Sequence, residues 1–199
     1  KEMYTFDDLG GNSVTLRAEG TAPVCRAYIE HGMHTLPQPV RLYYLTPIFR
    51  YERPQAGRYR QHWQFGCEAL GDDDPVLDTE VIHLAWAFFH QLGLENLSLY
   101  VNSIGDSNCR PHYLRELANY YANRKNEICS QCETRLDRNP LRLLDCKETQ
   151  CQPLAENAPK TTDYLCQGCN DHWGKVKAYL QLLGIPFRLD HKLVRGLDY

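Results

Sequence analysis

The stretch FRYERPQAGRYRQHWQFGCE, Phe49 to Glu68, sets an arginine, two carboxylates and an amide in one alternating pattern. Its odd positions, Phe49, Tyr51, Trp63, Phe65 and Cys67, are apolar or aromatic. Its even positions, Arg50, Glu52, Gln64, Gly66 and Glu68, form a polar row. Alternate side chains of a strand share a face. Arg50 and Glu52 therefore lie together on one strand, and Gln64 and Glu68 on the next, facing the same way if the register allows. Between the strands come Arg53, Arg58, Tyr59 and Arg60. Every cation of the stretch is arginine and none is lysine, which suits bidentate grip on phosphate or carboxylate. Arginine mixed with tyrosine and glutamine in a loop suits contact with a nucleotide or an RNA end. A sheet with one solvated face explains the alternation equally well, but not the exclusive use of arginine.

A second set of residues could hold a metal. CSQC (Cys129, Cys132) and CQGC (Cys166, Cys169) are two CxxC pairs, with Cys146 and Cys151 between them. Two such pairs have the spacing of a tetrahedral structural zinc, each supplying two thiolates from one turn. Cys129, Cys132, Cys166 and Cys169 are the expected ligands, with Cys146 or Cys151 as substitutes. Four thiolates leave no open position, so such an ion would be structural. Reduced buried or surface thiols are the competing reading. Nine cysteines, an odd and clustered number in a chain without a secretion signal, argue against a disulfide framework and make the cytoplasm the default. Cys25, Cys67 and Cys109 lack partners in sequence and read as small buried hydrophobes. His31 and His34 lack a third ligand nearby and read as ordinary surface or core histidines.

The elements that must position these groups follow from periodicity. Val14 to Glu19 alternates as a strand, and no lead-in strand precedes it. Ala22, Cys25, Tyr28 and Ile29 fall at helical spacing, with Gly32 as terminator. A strand over about 44–52 and a return strand over 62–69, around a loop with Pro and Gly, predict an antiparallel hairpin. GDDDP (71–75) is a polar turn. Asp78 or Thr79 then caps a helix with Val81, Ala85, Phe88, Phe89 and Leu92 on one face, ended by Gly93. LSLYVNS is a further strand. Pro111 opens a helix carrying Tyr113, Leu117, Tyr120 and Tyr121, and the tyrosines are expected in the core of that region. A last helix carries Trp173, Val176, Leu180 and Leu183 and stops at Gly184, before strand-like sequence to the end. Strands, a mostly helical inset and more strands predict an α+β fold, an antiparallel core interrupted by an insertion. The boundaries are 1–102 for the core, 103–184 for the insertion and 185–199 for the return to the core.

A chain of 199 residues is long enough for one large domain or a domain with an insertion. With 43% hydrophobic and 24% charged residues it has the balance of a soluble globular chain, and no apolar run approaches a membrane span. The opening KEMYTFDD lacks the basic-then-apolar layout of a secretory signal. A net charge of −3 gives no global attraction to nucleic acid, so any RNA contact must come from a local basic patch. Both ends read as cut.

Three segments, in order, resemble a known family. FRYERPQAGRYRQ resembles motif 2 of the class II aminoacyl-tRNA synthetases, in its histidyl-tRNA synthetase form. LRAEGTAPVCRA resembles that family's LRPEGTA segment, and LVRGLDY its LVRGLDYY segment. The resemblance covers essentially the whole chain. It implies a six-or-so-stranded antiparallel catalytic sheet with flanking helices. The implied activity is histidine activation with ATP and Mg²⁺, then transfer to tRNA(His), by a cytoplasmic homodimer. Arg50 would grip the α-phosphate and the substrate carboxylate, and Arg195 would approach the same phosphate from the histidine side. Glu52 and Arg58 would contact ATP. Glu68 would take the imidazole N–H, Glu19, Thr21 and Gln64 would hold the α-ammonium, and Tyr199 would close the pocket.

Two departures stand out. Ala18 replaces the usual proline of LRPEGTA, which loosens the backbone before Glu19. RQHWQ replaces RQFHQ and keeps an aromatic residue, Trp63, on the apolar side. The family's motif 1, motif 3 and anticodon domain are absent, so the chain is expected to be inactive by itself and monomeric or swapped. The insertion of this family does not generally need a metal. It leans over the tRNA acceptor arm, so metal loss should affect charging more than adenylate formation. The runner-up is the regulatory subunit of ATP phosphoribosyltransferase, a histidine sensor on the same fold that charges no tRNA. The loop arginines, VRGLDY and the full insertion favour the synthetase.

Overall fold

The computed structural model describes residues 3–53 and 55–194, which divide into two compact units, one through Asp73 and one from Asp74 onward. In the first unit, β1 (Thr5–Asp7) pairs antiparallel with β2 (Ser13–Thr15). The strand expected over 14–19 is thus shorter, and a lead-in strand does precede it. The ladder ends because the chain is drawn elsewhere: Leu16 N–H still reaches the Tyr4 carbonyl, whereas the Arg17 carbonyl accepts from Phe49 N–H at 2.9 Å. Helix α1 (Thr21–Glu30) follows, and Gly32 at φ 60° lets the chain turn out of it.

β3 (Val40–Phe49) and β4 (Gln61–Leu70) form the expected antiparallel hairpin, registered from Val40↔Leu70 to Phe49↔Gln61. β3 begins and ends earlier than its alternation suggested. Arg50 keeps one more ladder bond, N–H to the Arg60 carbonyl at 2.9 Å, and Glu52 lies in the connection. The two rows of the hairpin are covered unequally. The odd, aromatic row is the open side, with Tyr43 78%, Trp63 66% and Leu45 64% exposed. The even row is the covered side, and its Ile48 is the one fully buried apolar side chain among the described residues of this unit.

The second unit opens with α2 (Pro75–Gln91), a turn earlier than expected. Asp74 is its N-cap, accepting from Val76 N–H at 2.9 Å, and Pro75 takes the first helical position, where no N–H is needed. Its packed face is also not the expected one. Leu77, Ile82 and Trp86 turn inward, whereas Val81, Phe88, Phe89 and Leu92 are exposed. β5 (Leu99–Val101) pairs with β6 (Phe187–Leu189) in parallel, across the whole helical inset, so the pairing is not antiparallel throughout.

Between these strands run α3 (Arg110–Ala122), α4 (Ser130–Arg138), the short α5 (Leu141–Leu144) and α6 (Gln152–Glu156), and α7 (Gln167–Leu182). α7 buries Trp173, Val176 and Leu180, spaced for one helical face, against Val101, Ile82 and Trp86. It ends in a Schellman turn: Ile185 N–H returns to the Leu180 carbonyl at 3.0 Å and Gly184 sits at φ 66°. The inset has its own core, in which Tyr113, Leu117 and Tyr121 of α3 pack with Leu143, Leu144, Cys132 and Cys151. Among the described residues no helix is long and apolar enough to cross a membrane.

Candidate active site and cysteine clusters

The even row of the β3–β4 hairpin carries the polar groups. Opposite residues of an antiparallel ladder share a face. Thr46↔Gln64, Tyr44↔Gly66 and Leu42↔Glu68 therefore put Gln64 and Glu68 beside Tyr44, with Arg50 one step beyond Ile48. The N-terminus of α1 closes over this row. Thr21 Oγ1 donates to Glu68 Oε1 at 2.8 Å, and Glu19 Oε1 accepts from Ala22 N–H at 2.8 Å, in the first turn of α1. Arg50 Nε donates to the Ala18 carbonyl at 2.8 Å, which fixes the plane of the guanidinium. Arg17 Nη1 donates to Thr46 Oγ1. The side-chain oxygen of Gln64 is buried without a hydrogen-bond partner. A buried acceptor left unpaired is costly, and here it lies in the row that holds Glu68, where an incoming N–H would satisfy it.

The structure thus brings Glu19, Thr21, Gln64, Glu68 and Arg50 to one face. Glu52 and Arg58 meet separately in the connection, at 3.3 Å, with Arg58 more than half exposed. Arg60 lies 4.5 Å over the Tyr51 ring. Arg195 and Tyr199 lie outside the described residues.

Sequence reasoning missed Tyr44. Its ring is sandwiched between two glycines: a Cβ on Gly20 would come within 2.1 Å of it, and one on Gly66 within 2.2 Å. Burial raises its pKa above the ordinary phenol value, a hydrogen bond with Thr21 opposes this, and the Glu68 and Glu19 carboxylates add to the rise. The available signal was Gly66 itself, a strand glycine, which commonly marks a close approach. Gly66→Ala is expected to push the Tyr44 ring out of this slot and to destabilise the first unit by about 1–3 kcal/mol. Denaturant midpoints of the two proteins measure it.

The cysteines separate into two groups. Cys129, Cys132, Cys146 and Cys151 bring their sulfurs within 4.8 Å of one another, and Asp106, Cys109, Cys166 and Cys169 do the same elsewhere. The two CxxC pairs expected to share one ion therefore do not meet. Each opens a different helix: Cys129 caps α4 and Cys166 caps α7, and each finds its complement nearby. Cys146 and Cys151 belong fully to the first group. Cys109, read as a lone hydrophobe, belongs to the second.

All nine cysteines are free. In the first group Cys129 Sγ stands 3.8 Å from Cys146 Sγ, and Cys151 Sγ 4.0 Å from Cys132 Sγ. Those separations are far beyond the ~2.05 Å of a disulfide and match the edge of a tetrahedron around an ion with bonds of about 2.3 Å. Burial pushes the Cys151 thiol up to about 11 and Cys132 higher still. For Cys129 burial acts in the same direction but is outweighed by hydrogen bonds from the Cys132 backbone and the neighbouring thiols, so it is drawn down. Four convergent sulfurs are a donor set that fits a zinc-like divalent cation.

The family model for histidyl-tRNA synthetase matches residues 1–199. The chain belongs to the histidyl-tRNA synthetase family. It is 58% identical over all 199 residues to the histidine–tRNA ligase of Dehalococcoides mccartyi, covering 48% of that protein. The apo histidyl-tRNA synthetase of S. aureus, at 43% identity, matches 99% of this chain and 46% of its own with a TM-score of 0.75. A Bacillus halodurans ATP phosphoribosyltransferase regulatory subunit/histidyl-tRNA synthetase matches at 21% identity, with a TM-score of 0.61 over 97% of this chain and 53% of its own. That likeness shows the fold alone. The fold is the mixed α+β architecture of the class II synthetases, and the chain spans about half the length of the curated relatives it matches.

Proposed function

We propose that this chain supplies the histidine-binding and part of the ATP-binding site of a histidine–tRNA ligase, which forms histidyl-adenylate and transfers the histidyl group to tRNA(His). The polar row carries this reading: Glu19, Thr21, Gln64 and Glu68 stand on one face with Arg50 at its end, and the Gln64 oxygen is buried without a partner. A site that reads imidazole must pair its ring nitrogens, because apolar shape alone discriminates weakly. Glu68, oriented by Thr21, accepts the ring N–H. Gln64 and Glu19 receive the α-ammonium together with Thr21.

The carboxylate of histidine then attacks the α-phosphate in line, the α–β phosphoanhydride bond breaks, and pyrophosphate leaves. Arg50 holds both reacting groups, and Arg195 meets the same phosphate from the other side. Positioning and fixed positive charge do most of the work in such a transfer. Glu52 and Arg58 contact the nucleotide, which enters as its Mg²⁺ complex, and Tyr199 closes the pocket. The protein acts as a cytoplasmic homodimer. Residues 1–102 and 185–199 belong to the catalytic core, and 103–184 form an insertion over the tRNA acceptor arm. A structural Zn²⁺ belongs to this reading, held by Cys129, Cys132, Cys146 and Cys151.

ATP–pyrophosphate exchange in the full-length protein tests the assignment. Exchange should require histidine, and Glu68→Gln should raise the KM for histidine by about a hundredfold or more while leaving that for ATP within about twofold. Exchange indifferent to histidine, or a Glu68→Gln protein with an unchanged KM for it, overturns the reading.

A further inference from the structure

We propose that Asp106, Cys109, Cys166 and Cys169 form a second zinc site, a clasp that joins the start of α3 to the start of α7. It uses none of the residues assigned to the first cluster and does not depend on that cluster holding metal.

The four ligand atoms lie within 4.8 Å of one another. Cys109 Sγ is 3.2 Å from Asp106 Oδ1, and Cys166 Sγ is 3.9 and 3.8 Å from the two carboxylate oxygens. Zinc takes thiolates at about 2.3 Å and carboxylate oxygens at about 2.0–2.2 Å, which sets tetrahedral neighbours roughly 3.5–3.8 Å apart. The separations of Asp106 from Cys109 and Cys166 lie within a few tenths of an ångström of that range, and Cys169 falls inside the same 4.8 Å group. Three sulfurs and one oxygen suit zinc and are a poor set for the hard ions magnesium and calcium.

The Asp106 carboxylate is also held in place, by Asn108 outside the cluster and by the backbone of Cys109. Asp106 Oδ1 accepts from the backbone N–H of Asn108 at 2.9 Å and of Cys109 at 3.0 Å, while Oδ2 accepts from Asn108 Nδ2 at 3.0 Å. Ligating carboxylates are commonly oriented by such bonds. Cys166 and Cys169 occupy the N-cap and first turn of α7, the same placement that Cys129 and Cys132 have on α4. Gly105, at φ +67°, passes so close that a Cβ there would stand 2.7 Å from Cys109 Sγ. Cys166 is 60 positions from Asp106, so one ion would close a loop around most of the inset. Cross-links over long loops restrict the unfolded chain most.

Zinc per chain, measured by plasma mass spectrometry on the intact protein after desalting, tests the site. Two ions are expected. Cys166→Ser/Cys169→Ser should retain one, and so should Cys129→Ser/Cys132→Ser. Asp106→Cys serves where the double variants fail to fold. It should keep two ions and, with cobalt in place of zinc, gain thiolate-to-metal absorption as the second site passes from three sulfurs to four. A single ion lost only on changing Cys129 and Cys132 overturns the second site and leaves the first standing. A single ion lost only on changing Cys166 and Cys169 does the reverse. An Asp106→Cys protein whose cobalt spectrum matches the wild type also overturns the second site.

Discussion

Arg50→Ala in the full-length protein should lower kcat/KM for histidine-dependent ATP–pyrophosphate exchange by about 10²–10³, the loss that follows removal of one fixed donor from a developing oxyanion. The position of the residue is the reason to expect so large an effect. Arg50 is tied at its backbone N–H to Arg60 and at its Nε to the Ala18 carbonyl, so its guanidinium is oriented before any substrate arrives. Charge that needs no reorganisation stabilises a transition state more than charge that must be moved into place. Arg50→Lys should restore little, because an ammonium can neither bond Ala18 from the same plane nor offer paired donors to phosphate and carboxylate. Loss of less than about threefold in Arg50→Ala, against that scale of effect, would remove the residue from the reaction.

Loss of the metal proposed for the first cluster should separate the two half-reactions. In Cys129→Ser/Cys132→Ser, aminoacylation of tRNA should fall by at least about tenfold while exchange stays within about twofold, because the folding of such sites depends on the ion. The cluster sits inside the core of the inset: Cys132 and Cys151 are fully buried among Tyr121, Leu143 and Leu144. Without the ion, that core must bury thiols or serine hydroxyls with few partners, and it loosens. The polar row of the hairpin draws its parts from a different unit, through Asp73. Normal charging by a metal-stripped, folded protein would sink the prediction. So would exchange and charging that fall together.

The hairpin itself was legible in the sequence, because alternation over Phe49–Glu68 has a period that only a strand satisfies. Which row turns inward was not. Alternation defines two faces, and an aromatic row is normally the buried one, yet Tyr43, Leu45 and Trp63 are open while Gln64 and Glu68 are covered. The deciding interactions are long-range: α1 donates Thr21 to Glu68, and Gly20 and Gly66 make room for Tyr44. The start of α2 was misread for a local reason. Asp74 followed by Pro75 is a stronger helix opening than Asp78 or Thr79, since it combines a capping carboxylate with a residue that needs no donor. The cysteines divide similarly into what is local and what is not. CxxC fixed each pair to one helix turn, but which pairs share an ion depends on how α3, α4 and α7 are placed. Asp106 and Cys109 carried the same three-residue spacing as a CxxC pair, just ahead of a helix opened by Pro111, and that was the signal to find them.

The parallel pairing of β5 with β6 also sets a schedule for biosynthesis. Leu99 finds its partner in Phe187, eighty-eight residues later. At about 5–20 residues per second on the ribosome, the first strand waits roughly 4–18 s for the second to be made. During that interval Val101 and the inner side of α2 have no α7 to cover them, whereas the core around Leu117 and Tyr121 is almost wholly synthesised before α7 begins. The inset is therefore placed to fold first on the nascent chain, and the strands on either side of it close last.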